Sequence, residues 1–164
     1  MRMSDRPTVD VEIFVAASPT RVWKLVTNLD RMGQWSPEYQ GGEWIDGAAG
    51  PAVGARFKGR NKRREREWES VSTVTVCEPD RSFAWAVGDS DNPGASWRFD
   101  LTLEGTGTKV CQQIQLGPGP SGLTARIAEL PDREADIIAA RIAEHRRNMQ
   151  TTLEGLKAAV EQEG

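Results

Sequence analysis

The sequence is short of the residues on which most metal and redox chemistry depends. Among 164 residues there are two cysteines, Cys77 and Cys111, and one histidine, His145. Metal sites and disulfide frameworks need several ligands or thiols at suitable spacing, and these three residues do not provide them. We therefore predict no metal site and no cofactor. We interpret both cysteines as free thiols in a reducing cytoplasm.

Long apolar runs and several catalytic motifs are also missing. No apolar run approaches the roughly 20 residues that cross a bilayer, and the N-terminal VDVEIFV alternates with charge, unlike a signal-peptide core. The sequence contains no P-loop, HExxH or GxSxG motif. Its formal net charge of −3 gives no general attraction to nucleic acid or anionic lipid. We expect a cytoplasmic protein that neither inserts into a membrane nor binds nucleic acid.

Basic residues are concentrated in residues 56–66, where every second residue from Arg56 to Lys62 is positively charged. Such a stripe could contact phosphate. Glutamates at 65, 67 and 69 interrupt the basic run, and no surface aromatics are interleaved with it. We interpret the stripe as the outer face of a strand and a hairpin tip, and leave a partner open.

Apolar periodicity predicts one strand, two short helices, a series of strands and one long helix. Residues 9–15 alternate apolar and polar side chains, as a strand with one buried face does. Ser18 and Pro19 are a typical N-cap and first helical residue, and a second helical turn is predicted at about 29–35. Short connections such as EPDR and EGTG indicate antiparallel hairpins. The predicted later strands are 43–46, 55–62, 68–77, 82–87, 96–103 and 108–116.

The C-terminal part predicts a short helix near residues 123–130 and a long helix over about 132–161. Residues 138, 142, 149, 153, 156 and 160 form the apolar stripe of the long helix. A single antiparallel sheet has one apolar face to cover, and this helix is the obvious cover. The expected fold class is α+β, with about seven strands.

A pattern of aromatic, glycine, proline and polar positions in the first half of the chain is typical of one protein family. Its residues are Trp23, Met32, Trp35, Ser36, Pro37, Glu38, Trp44, Gly50, Pro51, Gly54, Ala55, Arg56, Phe57, Gly59, Asn61 and Trp68. With the order of the elements, this pattern resembles the START/Bet v 1-like (SRPBCC) superfamily, in its bacterial polyketide cyclase/dehydrase-like branch. The resemblance extends well over residues 8–88 and beyond that by element order alone.

The resemblance implies one domain over residues 1–164, with an ordered core at about 8–161. It also implies a helix-grip fold, in which a curved sheet wraps around the C-terminal helix and encloses an apolar ligand cavity. It supplies no shared catalytic triad.

Candidate site residues follow from periodicity within this fold. His145 falls in the middle of the apolar stripe and should face the sheet. Gln112 shares a strand face with apolar neighbours, and a buried amide needs partners. Trp35, in a turn of small residues, is a candidate for the cavity rim or for the end of the core. The predicted ligand-binding residues are Trp35, Phe57, Asn61, Trp68, Trp85, Trp97, Phe99, Gln112, Ile138, Ile142, His145 and Met149.

Three functions remain open at this stage. The leading hypothesis is binding of an apolar molecule, lipid-like or aromatic polyketide-like, in the cavity. The alternative is a polyketide cyclase or dehydratase that uses the same cavity, in which His145 would transfer the proton. A protein-docking module ranks third, since it would need an exposed apolar patch that the sequence does not identify. The oligomeric state is not predicted.

Overall fold

The computed structural model describes residues 1–163, in which one seven-stranded antiparallel sheet packs against a long helix. Its strands are β1 (Thr8–Val15), β2 (Tyr39–Ile45), β3 (Arg56–Arg63), β4 (Arg66–Glu78), β5 (Ser82–Val87), β6 (Ala95–Glu104) and β7 (Gly107–Leu116). Its helices are α1 (Pro19–Val26), α2 (Leu29–Gly33), α3 (Gly122–Glu129) and α4 (Glu134–Gln162). This arrangement confirms the predicted α+β helix-grip fold.

The sheet order is β1-β7-β6-β5-β4-β3-β2. The six strands from β2 to β7 form a continuous meander, and β1 joins its far edge beside β7. Val11 lies opposite Gln112, and Phe99 lies opposite Gln112 from the other side. Gln112 therefore sits in an internal strand, flanked by apolar residues of both neighbouring strands.

Helix α4 covers the concave, apolar face of the sheet. Ile138, Met149, Leu153 and Leu156 are almost fully buried along one side of this helix, as the 3.6-residue period predicts. The helix begins two residues later than predicted, because a 3₁₀ turn at Pro131–Arg133 precedes it. Proline lacks the backbone N–H of a helix interior, so it is tolerated at such a helix start.

The N-terminal helices begin at side-chain caps. Ser18 Oγ accepts a hydrogen bond from Arg21 N, and Asn28 Oδ1 accepts one from Arg31 N. Each cap satisfies a backbone donor that has no partner inside the helix. The caps fix the short connection between α1 and α2, and α2 leads into the turn that carries Trp35.

Strand β2 is longer than predicted and contains a bulge. It begins at Tyr39 instead of residue 43, and its register with β3 shifts between Tyr39 and Gly41. Gly41 has a φ of 133°, a conformation that other residues rarely adopt. Because Gly41 and Gly42 have no side chains, this part of the strand does not show the apolar–polar alternation on which the prediction depended.

The basic residues of β3 form an outward face, as alternation predicted. Arg56, Lys58 and Arg60 lie within salt-bridge distance of Asp46, Glu69 and Asp30 respectively. The intervening residues of the strand, Phe57 and Gly59, face the interior. Among residues 1–163, no helix is both long enough and apolar enough to cross a bilayer.

Candidate functional site

A cavity of about 120 Å³ lies between the concave sheet and helix α4. Residues of α2, of the turn after it, of strands β2–β7 and of α4 all contribute to its wall. Apolar atoms form most of the wall surface, although ten of the 21 lining residues have polar side chains. The lining residues are Val26, Leu29, Met32, Ser36, Glu38, Tyr39, Phe57, Gly59, Asn61, Ser70, Ser72, Phe83, Trp85, Val87, Trp97, Phe99, Gln112, His145, Asn148, Met149 and Thr152.

Aromatic rings form the sheet side of the cavity, with Trp85 at their centre. Its ring is stacked on Trp97, at 6.4 Å between centroids and 17° between planes. Phe57 and Phe99 have ring centroids 5.9 Å and 6.1 Å from that of Trp85. Alternation in β3, β5 and β6 brings these four side chains to one face. They give the cavity a continuous aromatic wall.

Gln112 places an amide in this apolar surface. The residue is only 6% exposed, and its Oε1 has no hydrogen-bond partner among the described residues. A buried acceptor without a partner costs about 1–3 kcal/mol. A molecule in the cavity that donates to Oε1 would recover that free energy.

His145 faces the cavity from α4 and is also 6% exposed. Its imidazole packs edge-to-face on Trp97, with centroids 5.6 Å apart. Burial, assisted by the nearby Arg141 and Arg63 and opposed by Glu144, lowers the pKa of His145 to about 3. The ring is therefore neutral near pH 7, and can donate or accept a hydrogen bond without carrying charge.

Tyr39 closes the β2 side of the cavity. The position of a Cβ at Gly59 would be 3.1 Å from Tyr39 Cε1, so the ring lies directly over this glycine. Tyr39 therefore occupies the space that the absent side chain of Gly59 leaves. Its buried hydroxyl has no hydrogen-bond partner within residues 1–163. Burial and the nearby Asp30 raise the pKa of Tyr39, against an opposing effect of Arg60, and the hydroxyl stays protonated.

A network of four charged side chains, which we call the rim network, ties the turn after α2 to α4 and β3. It consists of Glu38, Arg141, Glu144 and Arg63. Arg141 donates from Nη1 and Nη2 to the two oxygens of Glu38, at 2.5 Å and 2.8 Å. It also contacts Glu144 Oε1, to which Arg63 Nε donates at 2.8 Å. Burial opposes ionisation of Glu144, but the two arginines outweigh it and lower the pKa of Glu144. Glu144 therefore stays ionised at neutral pH.

Most of the predicted ligand-binding residues meet in this cavity. Those in its wall are Phe57, Asn61, Trp85, Trp97, Phe99, Gln112, His145 and Met149. Asn61 is turned toward its neighbouring strand, where its Nδ2 donates to Ser70 Oγ at 3.2 Å. The alternation of β3 and β6 and the helical period of α4 account for this grouping.

Four predicted residues lie outside the cavity wall, which corrects the expected lining. Trp35 packs against α4, where its Cγ is 2.7 Å from the position that a Cβ of Gly155 would occupy. Trp68 lies near the turn of the β3–β4 hairpin, opposite Asn61, with the Arg66 guanidinium 5.2 Å from its ring centroid. Ile138 and Ile142 belong to the apolar core between α4 and the sheet.

Several polar residues of the wall were not predicted from the sequence. Ser72 is two residues from Ser70 and four from Trp68, and strand alternation could have placed it inside. Asn148 is three residues after His145, so it lies on the same side of α4, and its Nδ2 donates to Glu38 at 3.2 Å. Tyr39 and Glu38 precede the bulge in β2 and follow no regular pattern, so only the fold reveals them.

Comparison with known proteins agrees with this architecture. Residues 6–161 match the family model described as polyketide cyclase / dehydrase and lipid transport. The chain belongs to this family. A polyketide-cyclase-like protein from Corynebacterium glutamicum is 31% identical, with a TM-score of 0.69 and coverage of 95% of this chain and 92% of that one. Family membership thus confirms the resemblance that the sequence motifs indicated.

More distant members of the fold superpose over almost their whole length. A protein from Thermus thermophilus is 16% identical, with a TM-score of 0.66 over 96% of this chain and 99% of that one. An AHSA1-like protein from Aeromonas hydrophila is also 16% identical, with a TM-score of 0.62 over 96% and 94%. Comparison with functionally curated proteins finds no match. At 16% identity, these two similarities establish the fold of the chain alone.

Proposed function

We propose that this protein binds a small apolar molecule in the cavity between the sheet and α4. The observation that carries the proposal is the cavity itself, with aromatic rings on its sheet side and a mostly apolar surface in which polar side chains are also placed. Ligand sites in proteins are typically concave and apolar and contain a small number of such polar groups. Core side chains normally pack with few voids larger than water, so a cavity of about 120 Å³ is a feature to explain.

The volume limits the size of the molecule. An engineered apolar cavity of about 150 Å³ in another protein binds benzene, whereas drug-sized ligands occupy pockets of roughly 300–1,000 Å³. At about 120 Å³ this cavity fits one ring. A lipid-like or multi-ring polyketide-like molecule would need more space than this cavity provides.

The charge state of the cavity favours binding over acid–base catalysis. A cyclase or dehydratase needs a proton-transfer group whose pKa lies near the working pH. His145 was the predicted candidate, but its pKa of about 3 makes it a weak base and leaves no proton to donate as an acid near pH 7. Its neutral ring is better suited to packing and hydrogen bonding.

The test is a titration with small aromatic compounds, followed by two-dimensional amide NMR. Toluene and phenol should give saturable shifts in residues around the cavity. Ser72→Leu should abolish binding, because the larger side chain fills the cavity from β4. Thr102→Leu is the matched control, since Thr102 is exposed on β6. Binding that survives Ser72→Leu, or no saturable binding by the wild-type protein, would refute the proposal.

A further inference from the structure

The buried amide of Gln112 carries information about the chemistry of the ligand. Its side chain approaches the cavity from β7, between Val11 of β1 and Phe99 of β6. Its Oε1 is one of two buried side-chain polar atoms without a hydrogen-bond partner among residues 1–163; the other is the hydroxyl of Tyr39. Buried polar groups in native proteins are nearly always hydrogen-bonded, so each exception calls for a cause.

The two unpartnered atoms differ in what they specify. A tyrosine hydroxyl both donates and accepts, so Tyr39 does not discriminate between ligand groups. A carboxamide oxygen only accepts. The complement of Gln112 Oε1 is therefore a hydroxyl or amine hydrogen on the bound molecule.

The remaining wall limits the rest of that molecule. Trp85, Trp97 and Phe57 present ring surfaces, which suit a flat apolar body. The charged residue in the wall is Glu38, which is already paired with Arg141. An ionised ligand would lose its hydration in this cavity without gaining a counter-charge, and that loss is costly.

We infer that the ligand is a neutral, single-ring aromatic compound whose one hydrogen-bond donor pairs with Gln112 Oε1, as in a phenol. This inference rests on the proposed function, since it specifies the occupant of the same cavity. The ring lies against the tryptophan pair, and the hydroxyl points toward β7. Removing the acceptor should therefore weaken binding of phenol and leave binding of a donor-free ring of equal size unchanged.

Toluene and phenol form a matched probe pair, because a methyl group in one replaces the hydroxyl in the other. In an apolar cavity without an acceptor, phenol should bind more weakly than toluene, because its hydroxyl loses hydrogen bonds to water. In the wild-type protein we expect phenol to bind at least as tightly as toluene. Anisole, whose oxygen accepts but cannot donate, should lack the advantage of phenol. Toluene binding tenfold tighter than phenol, or anisole matching phenol, would overturn the inference without any variant.

The second arm removes the acceptor. Gln112→Met keeps the length of the side chain and should lower the preference for phenol over toluene by about tenfold, the effect of one buried hydrogen bond. Gln113→Met is the matched control, because Gln113 points to the other face and donates to Asp10 at 2.8 Å. The preference should stay within about twofold of the wild-type value in this control.

The outcomes separate the two proposals. Saturable binding of both probes with no change of preference in Gln112→Met refutes the donor inference and leaves the proposed function intact. No saturable binding of any ring by the wild-type protein refutes the proposed function itself. Thermal unfolding of both variants shows whether each is folded. If Gln112→Met does not fold, the comparison of phenol, toluene and anisole in the wild-type protein decides the inference.

Discussion

The buried imidazole of His145 should make the stability of the protein depend on pH below about 6.5. In the unfolded chain the histidine has its ordinary pKa of about 6.5, whereas burial lowers the pKa in the folded protein to about 3. Between these values the unfolded state binds a proton that the folded state does not. Stability is therefore retained above the unfolded pKa and lost as the pH falls through the window.

The size of the effect follows from the two pKa values. Lowering the pH from about 7 to about 5 protonates the unfolded histidine almost completely and the folded one hardly at all. The resulting loss in the free energy of unfolding is about 2 kcal/mol. Glu144, which lies beside His145 on α4, has a lowered pKa and stays ionised in this range. Its contribution should be nearly constant.

The assay is urea unfolding followed by tryptophan fluorescence at both pH values, with His145→Gln as the reference. Glutamine keeps a hydrogen-bonding side chain but does not titrate. Whatever the substitution does to stability at one pH, the loss between the two pH values should be about 2 kcal/mol smaller in the variant. A parallel loss in both proteins would refute the reasoning. So would an imidazole NMR signal that titrates near pH 6.5, because His145 is the one histidine in the sequence.

Two further predictions concern packing at the rim of the cavity. Arg141→Leu should lower the free energy of unfolding by about 3 kcal/mol, because Glu38 and Glu144 lose a partner in a mostly buried network. The control Arg133→Leu breaks an exposed pair with Asp136 and should cost less than about 0.5 kcal/mol in the same urea assay. Equal losses in the two variants would contradict the greater weight given to the buried network. Gly155→Ala should destabilise the protein by about 1–2 kcal/mol, because the new Cβ would approach Trp35 Cγ to 2.7 Å. Alanine normally stabilises a helix by about 1 kcal/mol relative to glycine, so in a Trp35→Ala background the same substitution should be stabilising. A stabilising Gly155→Ala in the native background would contradict this packing.

Regular patterns made much of this fold predictable from the sequence. Strand β5 was predicted with the bounds that the structure shows, Ser82–Val87, because its large apolar residues alternate without interruption. The interior positions of Gln112 and His145 follow from the two-residue period of a strand and the 3.6-residue period of a helix. These patterns are local, so a single sequence contains them.

The missed features depend on contacts between distant parts of the chain. The sequence left Trp35 as a candidate for the cavity rim or for the end of the core, because the residue against which its ring packs is Gly155, near the other end of the sequence. The pairing of Glu38 with Arg141 joins residues 103 positions apart, and nothing near either residue indicates it. Whether Gln112 finds a partner likewise depends on which side chains converge on it from other strands.

The order of elements has a consequence for synthesis of the protein. Strand β1 pairs with β7, so Val9 finds its partner Ile114 only after the seven intervening elements have been made. Helix α4, which covers the apolar face of the sheet, follows all seven strands along the chain. Long-range pairings of this kind slow folding, because the entropy lost in closing a large loop must be overcome before native contacts can offset it. On the ribosome the aromatic face of the sheet therefore emerges uncovered, and it is exposed to aggregation or to chaperones until the last helix is released.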